Sequence, residues 1–168
     1  MQDEGIGVRA VELLEATYEI PEGVEIIDGG TAGTELLEPM RECKHLIVAD
    51  TINNSAPPGT LIRLADEQVP AFFQTKISNH QLGLSDLLAI LKVTNDAPES
   101  VTIIGMVPYD LNNTLGLSKQ SHQRIDEMVL QLINELEKHN VFLQNRPQPQ
   151  TGFWAEQTRI FEAEQSCA

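Results

Sequence analysis

The stretch HLIVAD, residues 45–50, is an unbroken apolar run that stops on a carboxylate. A run of this length without polar alternation predicts a strand covered on both faces, as in the parallel sheets of α/β proteins. Working outward, GTLIRL (59–64) and VTIIGMVP (101–108) repeat the pattern, the first of them after the turn-forming segment NNSAPPG (53–59). Upstream, VEIIDGG (24–30) predicts a further strand ending at Asp28, and the leucines of TAGTELLEPMREC (31–43) suit a short helix behind it.

Helical spacing fills the intervals. Ile6, Val8, Val11, Leu13 and Leu14 predict a first helix that ends at the Pro21-Glu22-Gly23 break. Ser78 and Gln81 stand at capping-box spacing ahead of Leu84, Leu87, Leu88 and Leu91, which predicts an amphipathic helix with His80 in its first turn. Ile125, Met128, Val129, Leu132, Ile133 and Leu136 mark a long helix from about Ser121 to Asn140. RPQPQTG (146–152) has linker composition, and Phe153, Trp154, Ile160 and Phe161 beyond it suit a short docking helix. The expected architecture is α/β: three layers, α/β/α, around a mostly parallel central sheet. In such sheets ligands bind outside the carboxyl ends of the strands, where Asp28 and Asp50 both fall.

Composition narrows the function. The 168 residues suit one ordinary domain, and 41% hydrophobic content is enough for a core. Twenty-five acidic side chains against 11 basic ones give a net charge of −14, which disfavours nucleic acid and anionic membrane surfaces as partners. No apolar run is long enough to span a bilayer and the first residues lack a secretory layout, so the cytoplasm is the expected compartment. Cys43 and Cys167 have no ligand or CxxC spacing and are expected as free thiols. Neither a GxSxG elbow nor a phosphate-binding GxxxxGK occurs.

Read in order, MQDEGIGVRAVE (1–12), VEIIDGGTAG (24–33), HLIVADTI (45–52), PGTLIRL (58–64), KISNHQLGLSDLLAIL (76–91) and VTIIGMVP (101–108) resemble the successive signature segments of the hydrogenase maturation endopeptidases. The resemblance runs from Asp3 to Asn140. It implies a protease domain over residues 1–144 with a linker and tail over 145–168, and a peptidase that removes the C-terminal extension of a nickel-iron hydrogenase large-subunit precursor after nickel insertion. It also implies that Glu4, Asp50 and His80 contact the metal, with Asp28 in a further family motif and Asp28 or Asp50 as candidate general bases. Nickel would arrive with the substrate, although zinc, cadmium or another divalent ion suits two carboxylates and an imidazole as well. The precursor is the expected partner, and monomeric action is expected. Members of the family open with a strand and a Gly-Asn turn before the DE segment. Here the chain starts at Met1-Gln2-Asp3, so that central strand is expected to be missing and the natural protein to be longer.

Each site residue also has a plainer reading. Taken alone, Glu4 reads as an acid complementing a helix dipole, Asp28 and Asp50 as turn residues closing strands, and His80 as a partly exposed histidine near a helix cap. His45, His122 and His139 match no motif and read as surface or helix-end residues. Two other functions remain in view: a nickel-dependent binding module that escorts the precursor without cutting it, and a dinucleotide-binding oxidoreductase. The second rests on GIGVRA (5–10), which fits GxGxxG/A with Asp28 about 20 residues on. That fingerprint needs a strand feeding the first glycine, and the acidic pair Asp3-Glu4 stands in its place.

Overall fold

A computed structural model describes residues 2–30, 33–74, 83–112 and 115–166. Asp3–Gly5 form a 3-10 turn that runs into helix α1 (Ile6–Thr17), followed by the short strand β1 (Tyr18–Glu19). A second 3-10 turn, Thr34–Leu36, leads into α2 (Leu37–Glu42) and then strands β2 (His45–Thr51) and β3 (Leu61–Ala65). Next come α3 (Gln68–Gln74), α4 (Leu84–Thr94) and strand β4 (Ser100–Met106). The chain closes with α5 (Lys119–His122), α6 (Ile125–Lys138), the short strand β5 (Gln144–Asn145) and α7 (Phe153–Ser166).

Strands β2, β4 and β3 form one sheet in that order. Lys44 accepts hydrogen bonds from the amides of Glu99 and Ser100, and the Ile52 amide donates to Met106 at 3.0 Å, so β2 and β4 run in parallel. The Asp66 amide donates to Val101 and the Val107 amide to Thr60, so β3 runs against β4 and the described sheet is mixed. The central strand is the most apolar in its surroundings, with Thr102 through Val107 buried, whereas no residue of β2 or β3 is fully buried. A second sheet pairs Tyr18 with Asn145 and Glu19 with Gln144, antiparallel.

Contacts divide the chain into two units. One comprises Met1–Ile27, Ala49–Ile62 and Ile104–Ala168. In it α1 packs on α6, burying Ile6, Ala10 and Leu14 on the first helix and Ile125, Met128, Val129 and Leu132 on the second. On α6 these are the i, i+3, i+4, i+7 positions that the sequence predicts, whereas on α1 the buried face runs through Ile6, Ala10 and Leu14 and leaves Val8, Val11 and Leu13 half-buried; each side chain of Leu or Ile size contributes about 1.5–3 kcal/mol on full burial. The C-terminal segment returns along α1 in the same unit. The Arg146 amide donates to Thr17, the Gln150 amide to Ala16, and the Trp154 amide to the Glu12 carboxylate.

The other unit comprises Asp28–Val48 and Arg63–Ile103. Met40, Leu87 and Leu91 form its buried cluster, with Leu36, Leu37, Leu46, Leu84 and Leu88 packed around them. Arg41 reaches from α2 to the Asp96 carboxylate just beyond α4 at 3.2 Å. Asn95 ends α4 in the left-handed conformation at φ 60°, which a short amide side chain tolerates.

Two expectations are corrected. Val24–Asp28 is not a strand: among the described residues its backbone joins no ladder, and a β-branched run acquires strand structure only where a partner takes its backbone groups. Helix α4 opens at Leu84 with Gly83 as its extended N-cap, where the Asp86 carboxylate accepts from the Gly83 amide at 2.9 Å. Its first turn therefore does not contain His80. Ser78, His80, Gln81 and Cys167 lie outside the described residues.

Leu91 has no exposed surface in the second unit's cluster. Leu91→Ala is expected to lower stability by about 2–5 kcal/mol, measured by denaturant unfolding.

Candidate active site

The carboxyl end of β2 and the turn before α1 meet within one unit, and the contact is made by backbone. A Cβ on Gly7 would lie 2.0 Å from the Ala49 carbonyl oxygen and 2.9 Å from the Asp50 amide nitrogen. Only a glycine lets α1 approach the strand this closely. Four residues earlier in the chain, the Asp3 carbonyl accepts a hydrogen bond from the Thr51 hydroxyl at 2.8 Å. The residues flanking Glu4 thus touch the residues flanking Asp50, one contact on each side. Both carboxylate residues are exposed, Glu4 in the 3-10 turn and Asp50 at the strand end, where Asp50 Oδ1 accepts from the Thr51 amide at 2.7 Å.

The group that organises this turn is Asp3, which has no exposed surface. Its Oδ2 accepts from the amides of Tyr109 (2.9 Å) and Asp110 (2.8 Å) and from the Ser118 hydroxyl (2.9 Å). Its Oδ1 accepts from the Ser118 amide at 2.8 Å. The Asp3 amide donates to Asp110 and the Gln2 amide to Asn112. Ser118 in turn caps α5, accepting from the Ser121 amide. Burial by itself raises the Asp3 pKa, but the donors from Ser118 and Asp110 outweigh it and hold the carboxyl below its ordinary value.

Of the sequence-predicted site residues, Glu4 and Asp50 belong to the same unit, where their neighbours Asp3 and Gly7 meet Thr51 and Ala49. Asp28 belongs to the other unit, where its Oδ1 accepts from the Gly30 amide at 2.9 Å in a tight turn rather than at a strand end. His80 lies outside the described residues, and among those described no group of three His, Cys, Asp or Glu side chains is placed to hold a metal. The dinucleotide reading of residues 5–10 loses its geometric basis. Asp3–Gly5 form a 3-10 turn where the fingerprint needs a strand, and Gly7 serves helix packing.

Sequence reasoning passed over Asp3 because an acid beside Glu4 gives no sign of its own burial. It also passed over His45, whose Nδ1 lies 2.8 Å from the Ser100 hydroxyl where β2 and β4 begin, half-buried rather than on the surface. Cys43 donates its thiol to the His45 carbonyl at 2.9 Å, and burial pushes its pKa up, which disfavours a nucleophilic thiolate.

Comparison with known proteins identifies the family. The family model described as hydrogenase maturation protease matches residues 8–135, a span that includes Asp28, Asp50 and His80. The hydrogenase 2 maturation protease of Escherichia coli K12 is 45% identical over 142 residues, covering 84% of this chain and 87% of the relative. The hydrogenase expression/formation protein HupD of Thiocapsa roseopersicina is 35% identical over 146 residues, 86% of this chain and 66% of that protein. Among solved structures, the hydrogenase maturating endopeptidase HybD from E. coli superimposes with a TM-score of 0.82 at 44% identity, covering 87% of this chain and 91% of that one. A hydrogenase 2 maturation peptidase from a Thaumarchaeota archaeon gives 0.60 at 29% identity, covering 81% and 90%.

Two outcomes follow for the turn. Gly7→Ala would gain about 1 kcal/mol of helix propensity at an ordinary site, yet here the clash with Ala49 is expected to cost about 1–3 kcal/mol net, read as a lowered melting temperature. Asp3→Asn is expected to cost about 2–4 kcal/mol at neutral pH, because buried donors lose a charged acceptor. A carboxyl whose folded pKa is depressed stabilises fully above its unfolded pKa of about 3.9 and loses that contribution as pH falls through the folded value. The stability gap between wild type and Asp3→Asn should therefore be constant above about pH 5 and close below pH 4, as unfolding measured across that range would reveal.

Proposed function

Because this chain belongs to the hydrogenase maturation protease family and is a peptidase, we propose that it removes a C-terminal extension from the large-subunit precursor of a nickel-iron hydrogenase, recognising the nickel already seated in that substrate. The observation that supports this most directly is the pair of contacts made by neighbours of Glu4 and Asp50, Gly7 against Ala49 and the Thr51 hydroxyl bonded to the Asp3 carbonyl. Two exposed carboxylates on one rigid turn-and-strand pair suit a divalent ion carried by a partner, since they leave coordination positions open. His80 completes the group on the strength of its sequence segment, adding a nitrogen donor that suits nickel, zinc or cadmium.

In this reading substrate-borne nickel supplies specificity through proximity, aligning the scissile peptide at the strand ends. Water attacks the peptide carbonyl, and Asp50 or Asp28 accepts its proton as general base. The protease domain is assigned to residues 1–144, with 145–168 an appended tail. No described helix is long and apolar enough to cross a membrane, and the net charge of −14 repels phosphate backbones and anionic lipid. We therefore assign the protein to the cytoplasm, acting as a monomer on the precursor alone.

Mixing the protein with nickel-loaded and nickel-free precursor and weighing the products should show loss of a C-terminal peptide only with nickel. Equal cleavage of both forms would remove the nickel-reading role, and binding without a mass change would make the protein an escort. His80→Ala should abolish cleavage of the loaded precursor while leaving the circular dichroism spectrum unchanged; undiminished cleavage would refute the assignment of His80.

A further inference from the structure

Most buried carboxylates in folded proteins face a cation. The Asp3 carboxylate instead accepts from four neutral donors, three of them backbone amides and one a hydroxyl. They come from two places in the chain, Tyr109–Asp110 and Ser118, so the carboxylate gathers both ends of one connection onto the first residues of the protein. The main chain of Asp3 is committed as well, its amide to Asp110 and its carbonyl to the Thr51 hydroxyl. Asp3 thus joins three segments: the turn that carries Glu4, the end of β2 that carries Asp50, and the 109–118 connection.

We infer that Asp3 is a positioning residue for the metal-reading site: its buried carboxylate fixes the 3-10 turn so that Glu4 is held beside Asp50. The inference rests on the reading that Glu4 contacts the metal. Gly7 fixes the C-terminal side of Glu4 by packing, and Asp3 fixes the other side by hydrogen bonding. With the Asp3 clamp released, Glu4 still exists but samples many positions relative to Asp50, and a two-carboxylate contact loses its geometry. An asparagine at this position cannot substitute. One of its two terminal atoms is itself a donor and would face the Ser118 amide or the Tyr109 and Asp110 amides.

The test uses the full-length protein with Asp3→Asn, Ser118→Ala and Glu4→Gln, and with Leu132→Ala as a buried control in α6. Each variant is melted first and then assayed at a temperature where all are folded. Two quantities are read: affinity for Ni2+ alone by calorimetry, and kcat/KM on nickel-loaded precursor. Asp3→Asn is expected to lose about 10–100-fold in both, the range usual for groups that orient metal ligands. Ser118→Ala, which keeps the carboxylate and removes one donor, should lose less in both. Leu132→Ala should lower the melting temperature and leave both readouts at the wild-type level, which separates positioning from stability. Wild-type nickel affinity and kcat/KM in folded Asp3→Asn would overturn the inference. Should Asp3→Asn fail to fold, Ser118→Ala carries the decision, and wild-type values there overturn it equally. Full cleavage and full nickel affinity in Glu4→Gln would instead show that Glu4 is not a metal contact, and the inference would fall with that reading. Loss of both in Glu4→Gln with none in Asp3→Asn would leave the reading standing and remove only the role of Asp3.

Discussion

The Asp3 carboxylate has no exposed surface, and the 109–118 connection of its unit is arranged to receive it. Removing such a charge from water costs several kcal/mol even after relaxation, and in many proteins an arginine or lysine offsets that cost. Here hydrogen bonds to ionised oxygen do so, each stronger than a neutral bond because the acceptor carries charge. The arrangement dictates much around it: the 109–118 connection must return to the turn before α1, Ser118 must precede α5, and Thr51 must lie within reach of the Asp3 carbonyl. The close seating of Gly7 on Ala49 works with it, so the turn is held from both sides.

In the proposed function, this clamp is what relates Glu4 to Asp50. Glu4 and Asp50 are solvated and separately unremarkable as side chains. Their relation to one another is set by backbone, through contacts made by their neighbours. A site built in this way depends on residues that never touch the substrate, and its precision comes from burial one residue away.

Much of the fold was legible because the strands and helices that exist are the ones whose patterns are longest. HLIVAD and VTIIGMVP became β2 and β4, and the leucine and isoleucine spacings of 6–14 and 125–136 mark the buried faces of α1 and α6. Val24–Asp28 has the same composition and is not a strand, because β propensity expresses itself only against a neighbour and composition does not reveal the neighbour. Of the site, Asp50 was legible from its position at the end of an apolar run, and that position is where the structure has it. Asp28 read identically and instead closes a turn with Gly30. Asp3 was illegible for a different reason: its partners lie 106, 107 and 115 residues away in sequence, and no local pattern encodes a bond at that range.

Those separations also set an order of assembly. Asp3 leaves the ribosome 106, 107 and 115 residues ahead of Tyr109, Asp110 and Ser118, and α6, on which α1 packs, follows later still. Until then the carboxylate has no acceptor role to fill and stays in water, and the loop that must close is among the longest the chain can form. The unit that carries Glu4 and Asp50 is therefore among the last parts of the molecule to complete during synthesis. A chain cut short before that point holds Glu4 and Asp50 without the contacts that relate their neighbours.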